Sequence, residues 1–241
     1  MIILSYYQQL IIYFYLYTFK RVIDMDYSNY NKNLGIFKEA PEGFRFIETD
    51  EDRKLLALTI SQAFGDCFYP IPTYPITHSE YLKLYYELGL RWIDNAHEKG
   101  VVLCNDDFSG CLILTRMKDC LDTNTIMKED KTFDFLSPEA KANVQYIFGY
   151  TYEDEKYLEY NEDDIYIEIF AVQTPRQGQK LGSQLMRRLF KECDVTKRDI
   201  LLLTSIEKNV SMYKHFGYEI MHENHVAEIN SDAWYLKRKH Q

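Results

Sequence analysis

The segment from Ile165 to Met186 holds the side chains and glycines best suited to bind a ligand or react. An apolar run, Ile165 to Val172, feeds a stretch rich in amides and glycine from Gln173 to Ser183, and a helical pattern starts at about Lys180. A turn from strand to helix aims unpaired backbone N–H groups, and the positive end of the helix dipole, at one point. Gly178 and Gly182 carry no Cβ, so backbone there can approach a phosphate closely. Arg176, Lys180, Arg187 and Arg188 add local positive charge to a chain that is otherwise acidic. The chemistry such a turn suits is holding a pyrophosphate. The same residues would equally serve an ordinary strand–helix connection, and this segment taken alone leaves both readings open. No G-x-x-x-x-G-K-[ST] occurs, and no G-x-G-x-x-G opens the first strand, so two other phosphate-binding loops are excluded.

Within the apolar run, Ile165, Ile167, Ile169 and Ala171 alternate with Tyr166, Glu168 and Phe170. The aliphatic face is expected to pack under the following helix, leaving Glu168 on the opposite face. A carboxylate on a core strand is costly unless solvated or paired. Glu168 is therefore either a candidate general base or half of a salt bridge to a neighbouring strand. The six histidines indicate no metal, since His222-x-x-His225 lacks a third ligand at a recognisable spacing. Five cysteines, odd in number and without a CxxC pair, suit reduced buried thiols in a cytoplasmic protein.

These residues need elements to hold them. Residues 43–48 alternate as a strand, and Thr49 or Asp50 can cap a helix carrying Leu55, Leu56, Leu58, Ile60 and Phe64. Three prolines make residues 69–75 a loop. Ser79 is the expected cap of a second helix, Glu80 to about Glu98. Residues 101–104 and 111–117 read as paired strands. The span 118–164 is the least legible, with a helix expected over 137–150 behind Ser137 and Pro138. The strand 163–172 and the helix 180–193 follow. An apolar strand 199–205, a helix 209–216 stopped at Gly217, and two last strands complete the order. Paired strands first and alternating strand and helix later indicate one α+β domain, residues 43–240, around a central mixed sheet.

Of 241 residues, 28 are Lys or Arg and 37 are Asp or Glu, a net charge of −9 that argues against nucleic-acid binding. A hydrophobic fraction of 46% suffices for a sizeable core. Residues 1–19 carry no charge and precede Lys20 and Arg21, a length that just reaches a membrane span. Gln8 and Gln9 at mid-span are costly in hydrocarbon. Residues 1–24 are thus an apolar extension or a membrane segment, membrane association being expected only through 1–19. Residues 25–42 read as a polar lead-in.

A resemblance rests on two segments. Gln177-Gly178-Gln179-Lys180-Leu181-Gly182 resembles the [QR]-x-x-G-x-[GA] motif of the GNAT superfamily of acetyl-CoA-dependent N-acetyltransferases, with Lys180 in place of the first motif glycine. Downstream, Asn209 to Tyr218 resembles the family's N-x-x-x-Y-x-x-x-G-[FY] segment. The resemblance implies a mostly antiparallel mixed sheet flanked by helices, and acetyl-CoA as co-substrate with no metal. It assigns the CoA pyrophosphate to backbone amides around Gly178, Lys180, Gly182 and Ser183, with Gln177 shaping the turn. Backbone groups of Phe170 and Val172 would pair with the pantetheine arm, and Asn209 would contact the cofactor. Tyr213 becomes the candidate general acid for the thiolate, and Glu168 the candidate base for the amine.

The activity implied is direct transfer of acetyl from acetyl-CoA to the primary amine of a small molecule. The Pro loop, the helix 80–98 and the insert 118–164 would wall the acceptor pocket, with Tyr69, Tyr74 and Trp92 as candidate lining and core packing as the other use of Trp92. The alternatives are acetylation of a protein N-terminus or lysine, and a catalytically silent acyl-CoA-binding module, which the lysine at 180 motivates. A homodimer is compatible with the sequence.

Overall fold

The computed structural model describes residues 34–68, 76–123, 126, 129–144, 158–226 and 231–241. Residues 1–24, the first half of the lead-in, and Tyr69 and Tyr74 lie outside them. No helix among the described residues is long and apolar enough to cross a membrane.

Seven strands form one mixed sheet in the order β1-β2-β3-β4-β5-β7-β6. They are β1 (Phe44–Phe46), β2 (Val101–Asn105), β3 (Gly110–Arg116), β4 (Ile165–Val172), β5 (Ile200–Thr204), β6 (Glu219–Val226) and β7 (Ser231–Arg238). Every pair is antiparallel except β4 with β5. Helices α1 (Asp50–Phe68) and α2 (His78–Lys99) cover one face, and α3 (Leu181–Thr196) and α4 (Glu207–His215) cover the other. The α+β order read from the sequence is the order of the fold.

The helix starts follow local chemistry. Asp52 N–H donates to Thr49 Oγ1 at 3.1 Å, and Asp50, Glu51 and Asp52 fill the first turn of α1, where the dipole favours anions. The cap of α2 is Thr77, not Ser79. Thr77 Oγ1 accepts from Glu80 N at 3.2 Å and Glu80 Oε2 accepts from Thr77 N at 2.7 Å, a reciprocal box that the T-x-x-E spacing encodes. A two-pronged ion pair, Arg53 to Asp94 at 2.6 Å for each bond, joins α1 to α2. Ala140 N–H donates to Ser137 Oγ at 3.1 Å, and residues 138–144 are helical as expected.

Two apolar clusters flank the sheet. The first joins α1 and α2 to Val102, Cys104, Cys111, Ile113, Ile169 and Ala171, and Trp92 is part of it at 6% exposure, a core residue and not a pocket wall. The second joins α3 and α4 to Leu112, Leu114, Ile165, Ile167, Ile200 and Leu202. Leu34, Ile36 and Phe37 are buried in this second cluster, and Arg198 Nη1 donates to Leu34 O at 2.6 Å. The packed unit therefore begins ahead of Gly43.

The membership of β4 in both clusters corrects one sequence expectation. The aliphatic residues do not all lie under α3: Ile165 and Ile167 do, whereas Ile169 and Ala171 face α1 and α2. The register explains it. Ile113 faces Ile169 and Leu114 faces Ile167, so Glu168 has no counterpart on β3 and forms a bulge. One extra residue turns the alternation over.

Candidate active site: an open turn and a parted sheet

At its end, β4 passes through Gln173 into a short 3-10 turn, Thr174–Arg176. The chain then takes two left-handed steps, at Gly178 (φ 76°) and Lys180 (φ 67°), and enters α3 at Leu181. Side-chain amides brace the bend: Gln177 Nε2 donates to Val172 O at 3.2 Å and Gln179 Nε2 to Pro175 O at 3.0 Å. Residues 174–180 are exposed. Among the described residues, the backbone N–H groups from Gly178 to Ser183 meet no acceptor. Among the described residues no side chain caps α3, and its first turn holds no acidic residue. The result is a row of outward donors at the positive end of a helix, which suits an oxyanion-rich group.

Lys180 occupies a conformation that costs a residue with a Cβ roughly 1–2 kcal/mol. The chain thus follows at Lys180 the left-handed path open to glycine, and the amide stays in the row. Gly182 meets a different demand. A Cβ there would lie 2.8 Å from Cζ of Phe170, so its absence lets the helix start rest against β4. The β2–β3 connection steadies the bend: Gln173 N–H donates to Ser109 O at 2.8 Å, Gln173 Nε2 to Thr59 Oγ1 at 2.9 Å, and Arg176 pairs with Asp107 at 3.1 Å. The last pair is half exposed and therefore weak. Hydrogen bonds from Ser109 are the main cause that holds the Asp107 carboxyl below the usual range.

Beside the turn the sheet parts. β4 and β5 pair only at Ile165 with Ile200 and Tyr166 with Leu201. Among the described residues, the rest of β4 has β3 on one side and no strand on the other. Because Gln173 N–H points at β3, alternation turns the N–H and C=O groups of Val172 and Phe170 away from β3, into the gap. A free edge of this kind can pair with amides of an extended ligand.

Glu168 stands at the bulge, half-buried, on the face of α1 and α2. Its Oε1 accepts from Thr115 Oγ1 at 3.1 Å and from Leu121 N at 2.8 Å. Tyr213 is 6% exposed and belongs to the second cluster, its ring edge-on to Tyr218 at 5.6 Å. Burial pushes its hydroxyl well above the ordinary tyrosine value, which keeps the proton on. Asn209 is half-buried one turn earlier on α4, its N–H donating to Ile206 O at 2.9 Å. Gln177, Gly178, Lys180, Gly182 and Ser183 thus share one bend with Phe170 and Val172 beside it. Glu168 and Tyr213 stand on opposite faces of the sheet.

Sequence reasoning missed Thr115 and the Leu121 amide. The signal for Thr115 was one hydroxyl directly after the apolar residues Cys111 to Leu114. Among the described residues no group of three His, Cys, Asp or Glu could hold a metal ion. His225 instead pairs with Asp232 at 2.6 Å. Burial pushes the thiols of Cys111 and Cys193 up to about 12, and that of Cys104 further, so none of these is a ready nucleophile.

Residues 131–230 match the family model of the acetyltransferase (GNAT) domain, a span that holds the bend, β4, β5 and α4. No curated protein matches the sequence. Among solved structures, arylalkylamine N-acetyltransferase 2 from Aedes aegypti superposes with a TM-score of 0.57 at 12% identity, covering 82% of this chain and 98% of that one. A protein from Pyrococcus horikoshii superposes at 0.50 with 10% identity, again over 82% and 98%. These likenesses concern the fold. Residues 131–230, which hold the bend, are thus similar to the acetyltransferase (GNAT) domain, and the chain shares the fold of these two solved structures.

Proposed function

We propose that the protein acetylates the primary amine of a small molecule, in the cytoplasm, by direct attack on acetyl-CoA. One observation carries the reading: outward amides from Gly178 to Ser183 adjoin a β4 edge freed by the parting from β5. In this reading the amides of Gly178, Lys180, Gly182 and Ser183 hold the pyrophosphate, and Gln177 keeps the turn in shape. Phe170 and Val172 pair with the pantetheine amides, and the Val172 N–H steadies the thioester oxygen as it gains charge. Asn209 contacts the pantetheine or pyrophosphate region.

The amine nitrogen forms a bond to the acetyl carbon, and the carbon–sulfur bond breaks. The proton leaving nitrogen passes through water to Glu168, and the departing thiolate takes a proton from Tyr213. The two groups approach from opposite faces, and the gap between β4 and β5 gives both access to one molecule lying in it. Arylalkylamines, polyamines and amino-acid derivatives are the acceptors to try, the first because the Aedes aegypti protein bears that name.

The test is calorimetry with acetyl-CoA, followed by thiol release with a panel of those amines and of peptides bearing free N-termini or lysines. Binding with turnover on an amine supports the proposal. Turnover on peptides alone replaces the acceptor with a protein. Binding without any turnover would mean a silent acyl-CoA-binding module.

A further inference from the structure

We infer that Thr115 is a positioning residue that fixes the carboxylate of Glu168 and holds it ionised for catalysis. The inference rests on the reading of Glu168 as the base.

Thr115 is fully buried on β3, in a run whose other inward residues are apolar. A buried hydroxyl is costly unless it finds a partner. Its partner is Glu168 Oε1, at 3.1 Å. The contact depends on the bulge. Thr115 faces Tyr166 across the ladder, and the unmatched residue at 168 swings its side chain to the same face, within reach of the hydroxyl.

The second donor to that oxygen, Leu121 N–H at 2.8 Å, comes from the insert. The insert is held there from α2, where Asn95 Nδ2 donates to Asp119 O at 3.0 Å, and from the end of β3, where Arg116 Nε donates to Asp119 Oδ2 at 2.6 Å. Two donors converging on one oxygen favour the charged form and fix the rotation of the carboxylate. Titratable groups that the described residues bring close to Thr115 are Cys120, whose Sγ is 3.9 Å from Thr115 Oγ1, and Tyr166, which faces Thr115 across the ladder. The sequence offered Glu168 as a base or as half of a salt bridge. Of these partners neither Thr115 nor the Leu121 amide carries a charge, so they support a carboxylate without neutralising it.

The test compares wild type with T115V, T115S and E168Q. Glutamate side-chain carbons are followed by carbon-13 NMR, with Glu168 identified by its loss in E168Q. T115V, nearly isosteric, is expected to raise the Glu168 midpoint by about one pH unit, a roughly tenfold gain in proton affinity. T115S returns it to the wild-type value. T115A reads the same shift if valine does not pack. In thiol-release assays with acetyl-CoA and phenethylamine, the acidic limb of kcat/KM moves by the same amount while the calorimetric Kd for acetyl-CoA stays put. A midpoint unchanged in both T115V and T115A overturns the inference, as does lost turnover that T115S fails to restore. Full turnover in E168Q with its acidic limb intact removes the base itself, and the catalytic meaning of Thr115 falls with it even if the NMR shift is present.

Discussion

The two ends of α3 carry the same residue type in the same backbone conformation, with opposite consequences. Lys180 enters the helix at φ 67° and Lys197 leaves it at φ 54°, both left-handed. At the exit, the Lys197 N–H donates to Cys193 O and the ammonium sits at the negative end of the dipole. That end is closed and electrostatically matched. At the entrance, a lysine sits at the positive end, no side chain caps the helix, and the following amides point outward. The strain is alike, so strain alone marks no site; an end left open does.

The comparison can be broken most severely at Gly182. Gly182→Val drives a side chain into the Phe170 ring and pushes the helix start off β4. Calorimetry should then show acetyl-CoA affinity reduced on the order of a hundredfold, and unchanged affinity would refute the role of the open end. Tyr213→Phe should lower kcat by about tenfold to a hundredfold and leave acetyl-CoA affinity alone, since only the proton is lost. Turnover equal to wild type removes Tyr213 from the chemistry.

Smaller effects sharpen the contrast between the lysines. Lys180→Gly and Lys197→Gly relieve similar strain, but the first also removes a charge from the wrong end of the dipole and the second from the right end. Denaturant unfolding should find the first more stable than the second by about 1 kcal/mol at low salt, with the gap closing in high salt. Only the first should alter the salt dependence of acetyl-CoA binding. The smallest effect is on pH. Burial raises Tyr85 and Tyr86 to about 12 and lifts Tyr213 and Tyr218 as well. Neutral buried phenols give stability that is present below the unfolded value, about 10, and lost as pH climbs toward the folded values. Chemical unfolding scanned from pH 8 to 11 should show the loss begin near 10, and a flat profile would contradict it.

The bend was the most legible part of the molecule, because glycines, amides and helix start lie within a few consecutive residues. The strands were legible from alternation and apolar runs, and α2 was misjudged only at its cap, where Thr77 and Ser79 are equally good candidates until Glu80 is placed. The bulge at Glu168 was not legible: alternation looks unbroken on both sides of it, and only pairing with β3 reveals the surplus residue. Leu34, Ile36 and Phe37 escaped notice for a related reason. Three apolar residues among polar neighbours become core only when a remote partner, here α3 and the first strands, lies beneath them. Thr115 needed the same long-range knowledge.

That surplus residue in β4 has a further consequence. If residue 168 instead took a regular place opposite Ile113, everything from Ile169 to Val172 would rotate by half a turn about the strand. The small aliphatic side chains would then swap layers, and the main-chain donors now offered to the opening would be spent on the neighbouring strand instead. A single inserted amino acid thus lets one ribbon satisfy two hydrophobic layers and still keep a row of peptide groups in hand for a guest.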